Sequence, residues 1–166
     1  NYYSVENAGF VLTGSSGKKI GYLAEQGAPF YNGNLSYRFK IDVADKSLRY
    51  CIATERQRAV AAVVKIGDFK RVLLSPDDEA DITDALKQGE NEICVTLLGH
   101  NRNLLGPHHH KNGVTAMVGP STFAGVNGFE DFVNYGITPS DTSTWTDSYS
   151  FVPFGCEGFK ITAYKC

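Results

Sequence analysis

Tyr37-Arg38-Phe39-Lys40-Ile41-Asp42-Val43 alternates without a fault, with Tyr37, Phe39, Ile41 and Val43 on one side and Arg38, Lys40 and Asp42 on the other. A pleated strand turns successive side chains to opposite faces, so this segment is expected as a half-buried antiparallel strand. Leu48-Arg49-Tyr50-Cys51-Ile52-Ala53 repeats the pattern after the polar Asp45-Lys46-Ser47, and the two runs together suggest a hairpin. Val60 to Ile66 is β-branched and apolar on both sides, as expected of a central strand. Glu92-Ile93-Cys94-Val95-Thr96-Leu97 follows the turn residues Gly89-Glu90-Asn91, and Val114 to Val118 and Phe159 to Tyr164 complete the strand set.

Between the strands, Ser75 to Gly89 is expected as a short surface turn, with Asp81 or Thr83 capping a single helical turn and Gly89 ending it. Gly119 to Ser150 is loop-rich. The chain shows no sustained helical periodicity, and 12% aromatic residues with 17 Gly and one Met suit a turn-rich chain better than a helix bundle. The fold class expected is therefore all-β, an antiparallel β-sandwich or jelly roll. No repeat or linker divides the sequence, so one domain over residues 1–166, acting as a monomer, is the simplest account.

A formal net charge of -2, with Lys and Arg scattered, offers no basic field for phosphates, and nucleic acid is not an expected partner. No run approaches the roughly 18 apolar residues that span a bilayer, so a membrane is not expected either. The opening Asn1-Tyr2-Tyr3-Ser4-Val5-Glu6 is neither a signal peptide nor an initiator start, and the chain is expected to be a piece of a longer precursor. Cys51, Cys94, Cys156 and Cys166 are spaced too widely for a zinc knuckle or a redox CxxC. Cys51 and Cys94, inside apolar runs, read as small buried hydrophobes, and a Cys156–Cys166 bridge closing a C-terminal hairpin stays open alongside free thiols.

The stretch from Ala62 to Leu97 runs through a short β segment, Ile66-Gly67, Pro76, Asp81-Ile82-Thr83-Asp84 and Gly89-Glu90-Asn91-Glu92-Ile93. It resembles the sugar-binding jelly-roll domain of family 2 glycoside hydrolases and related galactose-binding-like modules. Pro29 to Tyr37 looks like the first strand of such modules. Asn101 to His109 and Trp145 to Gly155 resemble the C-terminal modules of large bacterial glycosidase-like proteins. The resemblance covers roughly Ala28 to Ile161. It implies a β-sandwich joined to the catalytic domain of a glycan-active parent, secreted or at the bacterial cell surface. It implies no catalysis, because in that family the carboxylates sit on a separate barrel, and it carries over no ligand residue. Such modules often hold a structural calcium, for which no ligands are assigned here.

The residues themselves point the same way. Glycoside hydrolysis needs two carboxylates about 5–9 Å apart on a rigid frame, and the only acidic cluster, Asp77, Asp78, Glu79, Asp81 and Asp84, reads as a solvated turn without EF-hand order. No GxSxG or phosphate loop is present; Gly14-Ser15-Ser16-Gly17-Lys18 fails the Walker spacing. His100, His108, His109 and His110 lack metal-ligand spacing, which leaves backbone-bonded histidines or sugar contacts. Trp145 lies in the polar run Ser143 to Tyr149 and has two readings, a plug in the end of the sandwich or a platform for a sugar. On the second, Trp145 and Tyr149 stack against the apolar face of a sugar while Asp147, Arg102, Asn101, Asn103 and His108 hold its hydroxyls.

The expected function is that of a non-catalytic carbohydrate-binding module which keeps a linked enzyme on its polysaccharide or glycan. The alternatives are an accessory sandwich without sugar affinity and a small glycan hydrolase or lyase.

Overall fold

The computed structural model describes residues 2–6, 9–14, 17–75, 77–105, 108 and 146–165. The chain divides into two compact units, one made of Asn1–His100 with Pro153–Cys166, the other of Asn101–Val152.

In the first unit the strands are β1 (Tyr2–Glu6), β2 (Gly9–Gly14), β3 (Gly21–Tyr22), β4 (Leu35–Val43), β5 (Arg49–Glu55), β6 (Ala62–Ile66), β7 (Phe69–Leu73), β8 (Glu79–Asp81), β9 (Gly89–Leu97), β10 (Gly155–Cys156) and β11 (Gly158–Tyr164). Every pairing among them is antiparallel. A four-stranded sheet runs β4-β9-β6-β7 and a three-stranded one β11-β5-β8, while β1-β2 and β10-β3 form two-stranded ribbons. The chain is an all-β sandwich, as the alternation predicts.

The core forms where the two larger sheets turn their apolar sides together. Val43 of β4, Ile93, Val95 and Leu97 of β9, Ala62 and Val64 of β6, and Ile52 of β5 are all buried in one cluster. Leu35, Tyr37, Phe39 and Ile41 alternate with exposed Ser36, Arg38, Lys40 and Asp42 along β4, so the predicted inside and outside are the observed ones. β6 is central, flanked by β7 and β9. Gly67 takes φ +54 in the two-residue turn that joins β6 to β7, a conformation that costs a glycine nothing. At Gly155 a Cβ would collide with the Gly21 carbonyl, so the β10-β3 ribbon depends on its absence.

Three expectations need correction. The runs either side of Asp45-Lys46-Ser47 are not a hairpin: β4 pairs with β9 and β5 with β11 and β8, and the polar link carries the chain from one sheet to the other. That link is anchored across the sandwich end, since Lys46 Nζ donates to the Thr83 and Leu86 carbonyls and Tyr50 Oη to the Asp45 carbonyl. The Ser75 to Gly89 segment is more than a turn. It holds β8 and a 3-10 turn at Thr83–Ala85 whose Thr83 N–H is capped by Asp81, and Gly89, at φ +84, opens β9 instead of closing a helix. Cys94 is half-buried on the outer face of its sheet, whereas Cys51 is buried as expected. Cys156 is a buried free thiol; Cys166 and the expected strand at Val114 to Val118 lie outside the described residues. Among the described residues no helix is long and apolar enough to cross a membrane.

Candidate functional site

In the second unit the chain makes a single helical turn, α1 (Arg102–Leu105), where Leu104 and Leu105 donate their N–H groups to the Asn101 carbonyl. The short turn buries Asn103, and burial would be costly for an unbonded amide. Its Nδ2 donates to the Val152 carbonyl at 2.8 Å and its Oδ1 accepts from the Val152 N–H at 2.8 Å. Asn103 thereby acts like one residue of a strand partner for Val152. His108 is tied to the same turn: its Nε2 lies 2.6 Å from the Asn103 carbonyl, which only accepts, so that nitrogen carries the proton. The Ser150 N–H donates to the His108 carbonyl.

These bonds tie Ser150 and Val152 to the turn, and the Tyr149 and Phe151 rings between and beside them come together. Their rings stack at 5.4 Å and 13°, and His108 tilts against both, 5.6 Å from Tyr149 and 5.9 Å from Phe151. The Tyr149 side of the cluster reaches solvent, with 41% of that residue exposed. Asp147, two residues upstream, is exposed, as is Asn101; Arg102 is half-buried, and burial pulls its pKa down.

Of the seven residues picked from sequence, Asn103, His108 and Tyr149 therefore meet in one bonded cluster, and Asn101 and Arg102 form the adjoining turn. Asp147 stands in the chain just ahead of Tyr149. Trp145 lies outside the described residues. Phe151 was missed, although the spacing Tyr149-Ser150-Phe151 in an extended segment gives the signal that would have found it. Asn103, expected as a sugar ligand, instead has its amide engaged on the main chain.

In the first unit a cleft of about 790 Å³ opens at one end of the sandwich, lined among others by Phe69, Asp68, Asp84, Lys87, Glu92 and Asn91. Its size is that of a small-molecule site. Its buried polar side chain, Asn91, is already satisfied, accepting from the Lys87 N–H and donating to the Lys87 and Gly89 carbonyls. Lys40 on its rim is paired to Glu90 at 2.8 Å. Of the other histidine candidates, His100 packs edge-on against Phe154 at 5.6 Å, and His109 and His110 lie outside the described residues.

The acidic turn does not suit a calcium ion. Asp78 accepts from the Leu74 and Ser75 N–H groups, and Asp81 accepts from Thr83 and Arg49, so these carboxylates are engaged locally and do not converge. Among the described residues no group of three or more His, Cys, Asp or Glu side chains is placed to hold a metal ion. No protein-family model matches the chain, and no curated protein matches it.

Proposed function

We propose that this chain is a carbohydrate-binding β-sandwich module of the galactose-binding-like, jelly-roll type, which holds a linked glycan-active enzyme on its polymer and performs no chemistry of its own. The observation that carries the reading is the Tyr149 ring, 41% exposed, stacked on Phe151 and held by the tilted His108 ring. A sugar offers an apolar C–H face to such a ring and hydroxyls to charged or amide groups around it. A ring already fixed by neighbours loses little further freedom when a ligand lands on it, which favours binding. Asp147, two residues before Tyr149, and Asn101 and Arg102, in the turn that Asn103 ties to Val152, are the polar groups assigned to that platform. Tethering then raises the local concentration of substrate at the attached enzyme.

Asp81 is drawn down to about 2, first by the Thr83 hydroxyl, then by the Thr83 N–H and Arg49, and so is not poised as a proton donor at neutral pH. Titration of the whole chain against a glycan array tests the reading. Binding without release of reducing ends is expected, and Tyr149→Ala should weaken it by roughly 1–3 kcal/mol, or about 5- to 150-fold, at an unchanged melting temperature. Full affinity in a stably folded Tyr149→Ala would remove the platform.

A second reading, an accessory sandwich without sugar affinity, is favoured by one observation: Asn103 and His108 both direct polar atoms to main chain, as structural residues do. Silence across the array would favour it.

A further inference from the structure

The outward side of the β4-β9-β6-β7 sheet carries a charge pattern that only the register exposes. Arg38 of β4 stands opposite Cys94 of β9, Cys94 opposite Lys65 of β6, and Lys65 opposite Lys70 of β7. One row across four strands therefore reads Arg, Cys, Lys, Lys, with strands about 4.8 Å apart. The three cations are exposed, and none takes part in the ion pairs found among the described residues, which are Lys40–Glu90, Arg49–Asp81 and Arg56–Glu157. In the next row toward the cleft, Lys40 faces Glu92 and is bonded to Glu90, one cation against two carboxylates, so the positive charge of this face is confined to the Arg38–Lys70 row. Lys65 directly opposite Lys70 is unfavourable for folding, a cost that a bound anion would relieve.

The neighbouring row on the other side is of a different kind. Ser36, Thr96, Val63 and Val72 follow one another across the same four strands, with the Ser36 and Thr96 hydroxyls 2.8 Å apart. Val72 is 49% exposed. This face thus sets cations about 7 Å from a strip of hydroxyls and methyl groups, two residues along each strand.

We propose that this face binds an anionic polysaccharide, one bearing uronate or sulfate groups. The acid groups meet Arg38, Lys65 and Lys70, while the sugar rings lie over Val63 and Val72 with hydroxyls reaching Ser36 and Thr96. The preference for a polysaccharide among anionic polymers rests on the carbohydrate reading above; the face itself belongs to the other unit from Tyr149. Nucleic acid fits poorly, because the outward positions of these four strands hold no aromatic side chain on which bases could stack.

The test uses the full chain and calorimetric titration with oligosaccharides from heparin and from polygalacturonate, a neutral maltooligosaccharide, a single-stranded oligonucleotide and phosphatidylserine vesicles. Binding of at least one of the two anionic glycans is expected. It should weaken about tenfold or more in Lys65→Ser/Lys70→Ser and on raising salt from roughly 50 to 500 mM, but not in Lys160→Ser, an exposed cation of the other sheet. A melting temperature at or above that of the parent in the double variant shows that the fold is intact. Anionic glycan binding that ignores Lys65→Ser/Lys70→Ser, absence of binding to both anionic glycans, or equal binding of oligonucleotide or vesicles through the same lysines overturns the proposal. Neutral glycan binding that depends on Tyr149 but not on Lys65 and Lys70, with no anionic glycan bound, overturns this site and leaves the module reading standing.

Discussion

Phe159 of β11 stacks on Phe39 of β4 at 5.2 Å and 16°, and meets Tyr37 edge-on at 5.4 Å. One side chain of the three-stranded sheet thereby touches two successive inward residues of the four-stranded sheet. Phe159→Ala removes both ring contacts and opens a void at the edge of the core. A loss of roughly 3 kcal/mol in folding free energy is expected, the lower end for a phenylalanine truncation because the residue is only half-buried. Urea denaturation checks it, and a loss under 1 kcal/mol would mean the sheets are held together elsewhere.

Asn91 joins the start of β9 to the segment before it through three hydrogen bonds. Asn91→Ala removes all three bonds to the part-buried Lys87 and Gly89 main-chain groups, at an expected cost of roughly 2 kcal/mol. Glycan affinity at the Tyr149 cluster should stay as it is, and a joint loss of stability and affinity in this variant would contradict the assignment of Asn91 to scaffolding.

Asp81 gives the fold an acid dependence of definite sign. A carboxyl whose folded pKa lies below its unfolded value of about 3.9 adds stability above that value and loses it as pH falls through about 2. The urea midpoint should fall between about pH 4 and pH 2, and Asp81→Asn should lower the midpoint at neutral pH and flatten that fall. An unchanged acid limb in the variant would assign the dependence to other carboxylates.

The thiols should separate by access. Burial pushes Cys51 and Cys156 up to about 11, with Glu79 adding to the effect at Cys51, and both are shielded from solvent. Cys94 is half-buried on an open sheet face. Iodoacetamide at about pH 8 should label Cys94 before Cys51 and Cys156, as peptide mapping would show. Faster labelling of Cys156 would indicate that the β10-β3 ribbon opens readily.

The sequence makes β4, β6, β9 and β11 readable because each has a side committed to the core, so polarity marks the pleat. It hides β7, an edge strand in which Arg71 faces the inner side beside Val64 yet stays exposed, with its guanidinium 6.0 Å from the Phe69 ring. It hides β8 because Glu79-Ala80-Asp81 has a single buried residue. Pairing is the deeper omission: alternation in Tyr37 to Val43 and in Leu48 to Ala53 states which side chains point inward, and nothing in it distinguishes a hairpin from a crossing between sheets. The Arg38–Lys70 row is illegible for the same reason, since its members come from four separated segments. At the candidate cluster, the polar-aromatic composition around Tyr149 marked a segment whose rings do gather, but the engagement of Asn103 with Val152 depends on a long-range fold that local spacing does not encode.

The register of β5 against β11, with Arg49 opposite Tyr164, has a consequence for synthesis. A ribosome delivers β5 before β11, with Asn101–Val152 emitted in between. Until β11 leaves the exit tunnel, β5 has a free edge and the Tyr37 and Phe39 rings lack Phe159. Closing so long a loop is entropically slow, and strands awaiting distant partners invite association with other chains. The nascent chain therefore passes through a vulnerable period whose length is set by the translation of the second unit.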